Sequence, residues 1–454
     1  MPSAAAASAE SDTGLSHALR PRHVTMISLG GIIGAGLFVG SSTTIRAVGP
    51  LAAVSYLAAG LIVVMVMRMI GEMAVATAER RSFVELARTG LGNWAGFTCG
   101  WLYWFFWIIV VGAEAIAGAN LLQPIVPLPI WALSSVLILL MTATNLFSVR
   151  SFGEFELWLS SLKVAAIVLF IALAAAAILG LLPTRIAVHD NLFGHGGLAP
   201  HGVGAVLGSV PVVIFSLVGA EIATITAAES DSSGAAIARS IRTLITRILI
   251  FYVFSVALLV CIVPWDTIRL GTSPFLAAMT AMRIPGALVT IRLVVFVAVV
   301  SCLNSGLYIV SRVAFELAAR GDAPKVFGRL SIRRVPMIAL LAGTLGGLAA
   351  SFASVLSPGG VFNFLLNASG AIILFVYALL AAAEIRLRRK LDRAGIRVEV
   401  KMWLFPWASY ATIAAILAVL ASMTLSQSQR PQILASLATL ALVLGAYVCA
   451  RQLR

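Results

Sequence analysis

A chain of 454 residues that is 60% hydrophobic and only 11% charged is too apolar for a soluble globular protein. Its formal net charge of +14 raises nucleic acid as a partner, but no stacking aromatics are interleaved with the basic clusters, which argues against that class. The four cysteines, Cys99, Cys261, Cys302 and Cys449, lie in or near apolar runs without metal-like spacing, so neither a disulfide scaffold nor a zinc site is expected.

Residues 1–20 are polar and Ala/Ser-rich and lack the basic start and short apolar core of a signal peptide, so they read as a disordered cytoplasmic tail. From there, apolar runs long enough to span a bilayer recur along nearly the whole chain. Twelve spans are predicted, near 22–47, 50–77, 93–122, 129–147, 156–182, 203–228, 240–263, 286–311, 336–356, 361–384, 403–424 and 431–450. With the N-terminus placed inside, the 32 Lys and Arg residues divide into roughly 24 on cytoplasmic segments, five on external ones and three within spans. That asymmetry puts both termini in the cytoplasm. The densest clusters, 320–334 and 386–401, read as topology determinants that also attract anionic lipid.

The first span contains SLGGIIGAGLFVG (28–40), with Gly30, Gly31, Gly34 and Gly36 in its middle. Glycine is about 1 kcal/mol worse than alanine within a helix. A broken turn at membrane depth is tolerated only where it faces protein or a water-filled cavity. If the helix unwinds across 33–36, from Ile33 through Gly34 to Gly36, the N–H groups of Ala35, Gly36 and Leu37 become free to hold a carboxylate. The competing reading is close helix packing, because Gly30/Gly34 and Gly36/Gly40 each form a GxxxG pair.

An echo in the sixth span favours the site. Gly219-Ala220-Glu221 follows Gly34-Ala35-Gly36 by 185 residues, in a half of the chain expected to run in the opposite orientation. Paired interrupted helices in inverted halves point to a transporter site. The expected organisation is repeat one over 21–182 (helices 1–5), repeat two over 203–385 (helices 6–10), and helices 11–12 with the C-terminal tail over 386–454. In PVVIFSLVGAEIATITAAES (211–230), carbonyls of Phe215, Ser216 and Val218 would receive an ammonium group, Gly219 weakens the helix, and Phe215 can close the cavity.

Three ionisable residues fall well inside spans, where a charge costs about 2.5–3.5 kcal/mol. Lys163 either snorkels to the surface or tucks against the broken part of span one to load and release a proton. Glu114 either lines the pocket or pairs within the bundle, and Glu221 braces the unwound turn through backbone N–H groups. Arg68 and Glu72, at i and i+4, read as a structural pair. Trp101, Tyr103, Trp104 and Trp107 read as an interfacial belt or helix packing. His189, His195 and His201 read as residues of a solvated external loop rather than metal ligands. No HExxH motif or nucleophile arrangement points to an enzyme, and no cofactor is expected.

The stretches RHVTMISLGGIIGAGLFVGS (22–41), FGEFELWLSSLKVAAI (152–167), FSLVGAEIATITAAES (215–230) and NSGLYIVSR (304–312) resemble the amino acid permease branch of the amino acid–polyamine–organocation superfamily. GWLYWFFW (100–107) and TNLFSVRSFGEFELW (144–158) look most like 4-aminobutyrate permeases. The resemblance implies a leucine-transporter-like fold of twelve transmembrane helices, a 5+5 inverted repeat with discontinuous helices 1 and 6. It also implies proton-coupled import across a plasma membrane, bacterial and inner. By that likeness Ala35 and Gly36 hold the substrate carboxylate, and Phe215, Ser216 and Val218 surround the amine. Lys163 takes the place of a sodium ion near the Gly30 carbonyl and the Ser305 hydroxyl. Several relatives carry Ser or Thr where this chain has Ala35, so a hydroxyl contact is lost and backbone donors remain. The expected function is a symporter for a small zwitterion, with 4-aminobutyrate first. A permease or exchanger for another amino acid, including a cationic one, and a non-transporting sensor are the alternatives.

Overall fold

A computed structural model describes residues 33–77, 82–147, 149–221, 233–396 and 398–452. The expected tail, Gly30 and Gly31 lie outside them. The described chain is helical: α1 (Ala35–Phe38), α2 (Ser41–Val48), α3 (Ala52–Ala76), α4 (Phe83–Leu91), α5 (Asn93–Leu122), α6 (Ile130–Phe147), α7 (Val149–Ile178), α8 (Ala205–Leu217), α9 (Ser233–Arg247), α10 (Ser255–Ile262), α11 (Pro274–Met282), α12 (Ala287–Ala319), α13 (Met337–Ala353), α14 (Pro358–Arg393), α15 (Trp407–Leu425) and α16 (Arg430–Gln452). A π-helical segment, Ile248–Phe254, joins α9 to α10.

The expectation of twelve spans is corrected. Among the described residues, eight helical stretches are long and apolar enough to cross a membrane, and residues 35–76 make one of them. Three apolar helices, Ile130–Leu146, Ala205–Leu217 and Met337–Ala353, are shorter. Hydropathy detects an apolar run but not where its helix stops. The 203–228 run illustrates this, because its helix ends at Leu217 where Val218 turns extended. The polytopic, all-α class stands; the twelve-helix, leucine-transporter-like 5+5 architecture does not.

Helix α5 is the hub, touching α4, α6, α12, α13, α14 and α16. Its residues are largely buried, as suits a helix apolar on every face. Around it the core continues through α3, α8, α10 and α12, whereas α16 presents mostly exposed apolar side chains. Leu434, Leu442 and Val448 on α16 face outward, as expected where lipid replaces water.

Near the chain's basic segments, α4 carries a defined start. The Ser82 hydroxyl caps it by accepting the Glu85 N–H at 3.3 Å and donates to Glu316 Oε1 at 2.5 Å. At the same end, Glu72 does not pair with Arg68. It takes Arg388 Nη1 at 2.6 Å and the Met402 N–H, while Arg68 donates to the Lys401 carbonyl at 2.8 and 3.0 Å. The i,i+4 neighbours still attract each other, but both side chains take their direct contacts from α14 and the segment after it.

At the opposite end the histidine loop is exposed, as expected, and is also tied down by specific contacts. His195 Nδ1 lies 2.8 Å from Asp266 Oδ2, Trp265 Nε1 donates to the His195 carbonyl at 2.9 Å, and His201 Nδ1 lies 3.1 Å from the Ala47 carbonyl. Arg46 stacks over Trp265 at 5.6 Å. These contacts strap the loop to α2 and to the 265–267 turn. All four cysteines are free thiols.

Candidate functional site

Ile33 and Gly34 precede α1 as buried, non-helical backbone, and Gly34 is extended (φ −135°, ψ −150°). Gly36 is where α1 and α8 meet: a Cβ there would fall 2.7 Å from Ser216 Cα and 3.1 Å from Phe215 Cδ1. Only glycine permits that approach. On α8, Ser216 Oγ bonds back to the Val213 carbonyl at 2.7 Å, Val218 is extended, and Gly219 adopts φ 107°. An L-side chain rarely occupies that region, so Gly219 is needed for the turn.

The carboxylate of Glu114, on α5, accepts the Ala35 N–H with both oxygens, at 3.0 and 2.9 Å. This is the donor that the sequence offered to a substrate carboxylate. The side chain is 1% exposed. Of the two sequence alternatives, lining the pocket is the one its position matches, and in addition it occupies the Ala35 donor itself.

Around it lies a narrow cavity of about 10 Å³, space for roughly one water, lined by Gly36, Glu114, Trp107, Phe215, Ser216 and Cys302 among others. Phe106 lies 6.1 Å from Phe215, ring to ring, and 5.6 Å from Trp107, edge-on. The space as it stands is too small for an amino acid, so the site has to widen to admit one.

Glu221 lies beside the Gly219 turn. Its two oxygens accept the Gly219 N–H at 3.1 and 3.0 Å, and Oε1 accepts the Tyr103 hydroxyl at 2.7 Å. Tyr103 thus links α5 to the turn, where the sequence reading had only packing or an interfacial belt. The aromatic run divides in three: Trp101 donates to the Asp322 carbonyl at 3.0 Å, Tyr103 reaches Glu221, and Trp107 walls the cavity.

Lys163 is 0% exposed and does not snorkel. Its Nζ lies 3.5 Å from Glu156 Oε1, itself at 0% exposure. The same oxygen accepts Ser301 Oγ at 2.5 Å and Ser160 Oγ at 3.2 Å. Glu156 escaped the sequence reading, although its i,i+7 spacing from Lys163 puts both on one face of α7. Ser305 sits one turn beyond Ser301 on α12, its hydroxyl buried with no hydrogen-bond partner among the described residues. The Gly30 carbonyl expected near Lys163 is outside the described residues. Cys302, also unflagged, packs on Gly34, where an added Cβ would meet its Cβ at 2.7 Å. Two clusters therefore adjoin on α12: Glu114–Ala35–Cys302 and Lys163–Glu156–Ser301.

A family model described as amino acid permease matches residues 23–452. The chain belongs to the amino acid permease family. The permease is 43% identical to the gamma-aminobutyric acid permease of Bacillus subtilis, covering 98% of this chain and 95% of that one. It is 45% identical to a probable GABA permease of Pseudomonas aeruginosa (93% and 90% covered) and 42% identical to the gamma-aminobutyric acid permease of Escherichia coli (92% and 90%). Among solved structures, a manganese transporter of Eremococcus coleocola superposes with a TM-score of 0.56 at 13% identity, covering 94% of this chain and 93% of that one. That likeness speaks to fold alone. With it, the permease is an all-α polytopic membrane protein with about eight long apolar spans among the described residues, which replaces the twelve-helix leucine-transporter-like expectation. The histidines do not gather: no group of three metal-ligating side chains occurs among the described residues.

Proposed function

We propose that this amino acid permease imports 4-aminobutyrate together with a proton, by alternating access, across a bacterial inner membrane with both termini inside. The observation that carries the reading is Glu114 on the Ala35 N–H. A carboxylate already occupies the donor that an incoming amino acid carboxylate would take. Substrate binding then exchanges one carboxylate for another, releasing Glu114 toward the amine end of the opened cavity. Backbone of α1 from Ile33 to Gly36 would hold the substrate carboxylate, and Phe215, Ser216, Val218 and Gly219 would surround its amine. Glu221 would hold the turn.

Lys163 is proposed as the proton carrier, with Gly30 and Ser305 beside it. Support comes from its complete burial against Glu156, which places an ionisable pair inside the bundle and away from solvent. The similarity to three bacterial GABA permeases supports the choice of substrate.

Uptake of labelled 4-aminobutyrate into proteoliposomes tests both parts. Accumulation in sodium-free buffer under an inward proton gradient, abolished by a protonophore, is the expected result. Equal uptake without a gradient would sink the coupling. Lys163→Ala is expected to abolish concentrative uptake while leaving substrate binding measurable. The second reading is a permease for a cationic amino acid with Glu114 as its counter-charge. Competition by arginine or lysine stronger than by 4-aminobutyrate would establish it instead.

A further inference from the structure

Helix α14 runs past the bundle and ends in a basic face. Arg386, Arg389, Lys390 and Arg393 recur at i, i+3, i+4 and i+7, which puts all four on one side. They line an open cleft of about 840 Å³ between α4, α14 and α15. Nearby basic residues off this face are already engaged: Arg388 with Glu72 and Asp392, and Arg88 with Glu85 and Asp322. On the face itself, Arg389 rests on Tyr410 of α15, donating to its hydroxyl. Arg386, Lys390 and Arg393 are exposed and form no ion pair with a described carboxylate. At 1.5 Å rise per residue the four cations extend over about 10 Å, longer than one phosphate needs.

The other walls are mixed, with Leu91 and Ile413 supplying apolar surface beside Thr89 and Tyr410. From Ile413 the track continues along α15 to Leu417, exposed at 56%. Leu404, in the segment joining α14 to α15, and Trp407, at the start of α15, face outward at 82% and 75% exposure. Exposed aromatic and aliphatic groups at a helix end mark the membrane interface. So cations, apolar side chains and the outward-facing Leu404 and Trp407 are carried by α14, α15 and the segment between them.

We propose that this cleft binds a phospholipid whose headgroup carries two phosphates, the cardiolipin class. The phosphates lie across Arg386, Lys390 and Arg393, and an acyl chain follows Ile413 toward Leu417. Basic pockets between membrane helices on the basic face take such headgroups. Complementing the α14 dipole would also favour cations here, but it requires neither an open cleft nor an apolar wall.

The full-length protein, delipidated in detergent, is unfolded thermally with added cardiolipin, phosphatidylglycerol at equal phosphate, or inorganic pyrophosphate. Cardiolipin is expected to raise the melting temperature at lower concentrations than phosphatidylglycerol, with pyrophosphate without effect. Arg386→Gln/Lys390→Gln is expected to weaken the cardiolipin response by about thirtyfold. Lys325→Gln/Arg329→Gln, equal in charge but remote from the cleft, should keep it. Equal responses from both variants, or from both lipids, overturn the proposal; a shift reproduced by pyrophosphate assigns the cleft to free phosphate instead. Native mass spectrometry of the unaltered protein decides independently of any variant. One retained cardiolipin supports the site, and its absence after cardiolipin addition refutes it.

Discussion

Glu114 is the residue on which the site turns. A hydrogen bond to a charged acceptor contributes about 1.5–3 kcal/mol, against about 0.5–1.5 for a neutral one. Glu114→Gln keeps the shape but weakens the hold on Ala35 by roughly 1 kcal/mol, about fivefold. If Glu114 competes with substrate for that donor, the variant binds 4-aminobutyrate about fivefold more tightly. Titration of tryptophan fluorescence, with Trp107 in the cavity wall, reads this directly; weaker binding would instead make Glu114 a partner of the substrate amine. Gly36→Ala tests the neighbouring contact. Its methyl would press on the Ser216 backbone, so a loss of about 1–3 kcal/mol in stability is expected from overpacking. A drop in melting temperature together with lost uptake checks it. The sequence made the glycines and Glu114 visible as costly residues in an apolar setting. It could not show that one satisfies the other, because Ala35 and Glu114 are 79 residues apart and meet only through folding.

At the scale of elements, α5 organises the site from one side. Tyr103, Trp107 and Glu114 recur along it at spacings of four and seven, so one helical face supplies a brace, a wall and a plug. Tyr103→Phe removes the hydroxyl from Glu221 and leaves that buried carboxylate short of a donor. A loss of about 1–3 kcal/mol is expected, read as a lower melting temperature with the helical signal retained. That face was legible only in part. Glutamate is conspicuous in an apolar run, whereas tyrosine and tryptophan are ordinary there and give no sign of their direction. The same held for α7, where Lys163 stood out and its partner Glu156 did not. The loop at 195–201 is held by Asp266 and Trp265, contacts that no local pattern announces. Trp265→Ala is expected to free this loop, so limited proteolysis should cleave near 195–201 in the variant and spare the parent protein.

For the whole molecule, composition alone fixed the membrane class and the helical architecture. The number of spans was not legible, since apolar runs continue through positions where the backbone leaves the helix, as at Val39–Gly40 and at Val218. The charge asymmetry of the connecting segments still makes a testable statement about orientation. Cys449 is exposed near the end of α16, whereas Cys99 and Cys302 are buried. With both termini inside, and with the partly exposed Cys261 replaced by Ser, a membrane-impermeant maleimide should leave intact cells unlabelled and modify Cys449 once the membrane is permeabilised. Labelling of intact cells would reverse the orientation.

The narrow cavity has a thermodynamic consequence for any ligand. A seat with space for about one water exists for an amino acid only in molecules that have opened. Measured affinity is then the intrinsic affinity scaled down by the open fraction. Each 1.4 kcal/mol spent on opening weakens it about tenfold, whichever substrate is offered. A tight intrinsic fit and a modest measured constant are therefore compatible in this permease. Substitutions that loosen the Phe106–Trp107 contact should improve apparent affinity for all substrates alike, while those at Phe215, proposed to lie beside the amine, should discriminate between them.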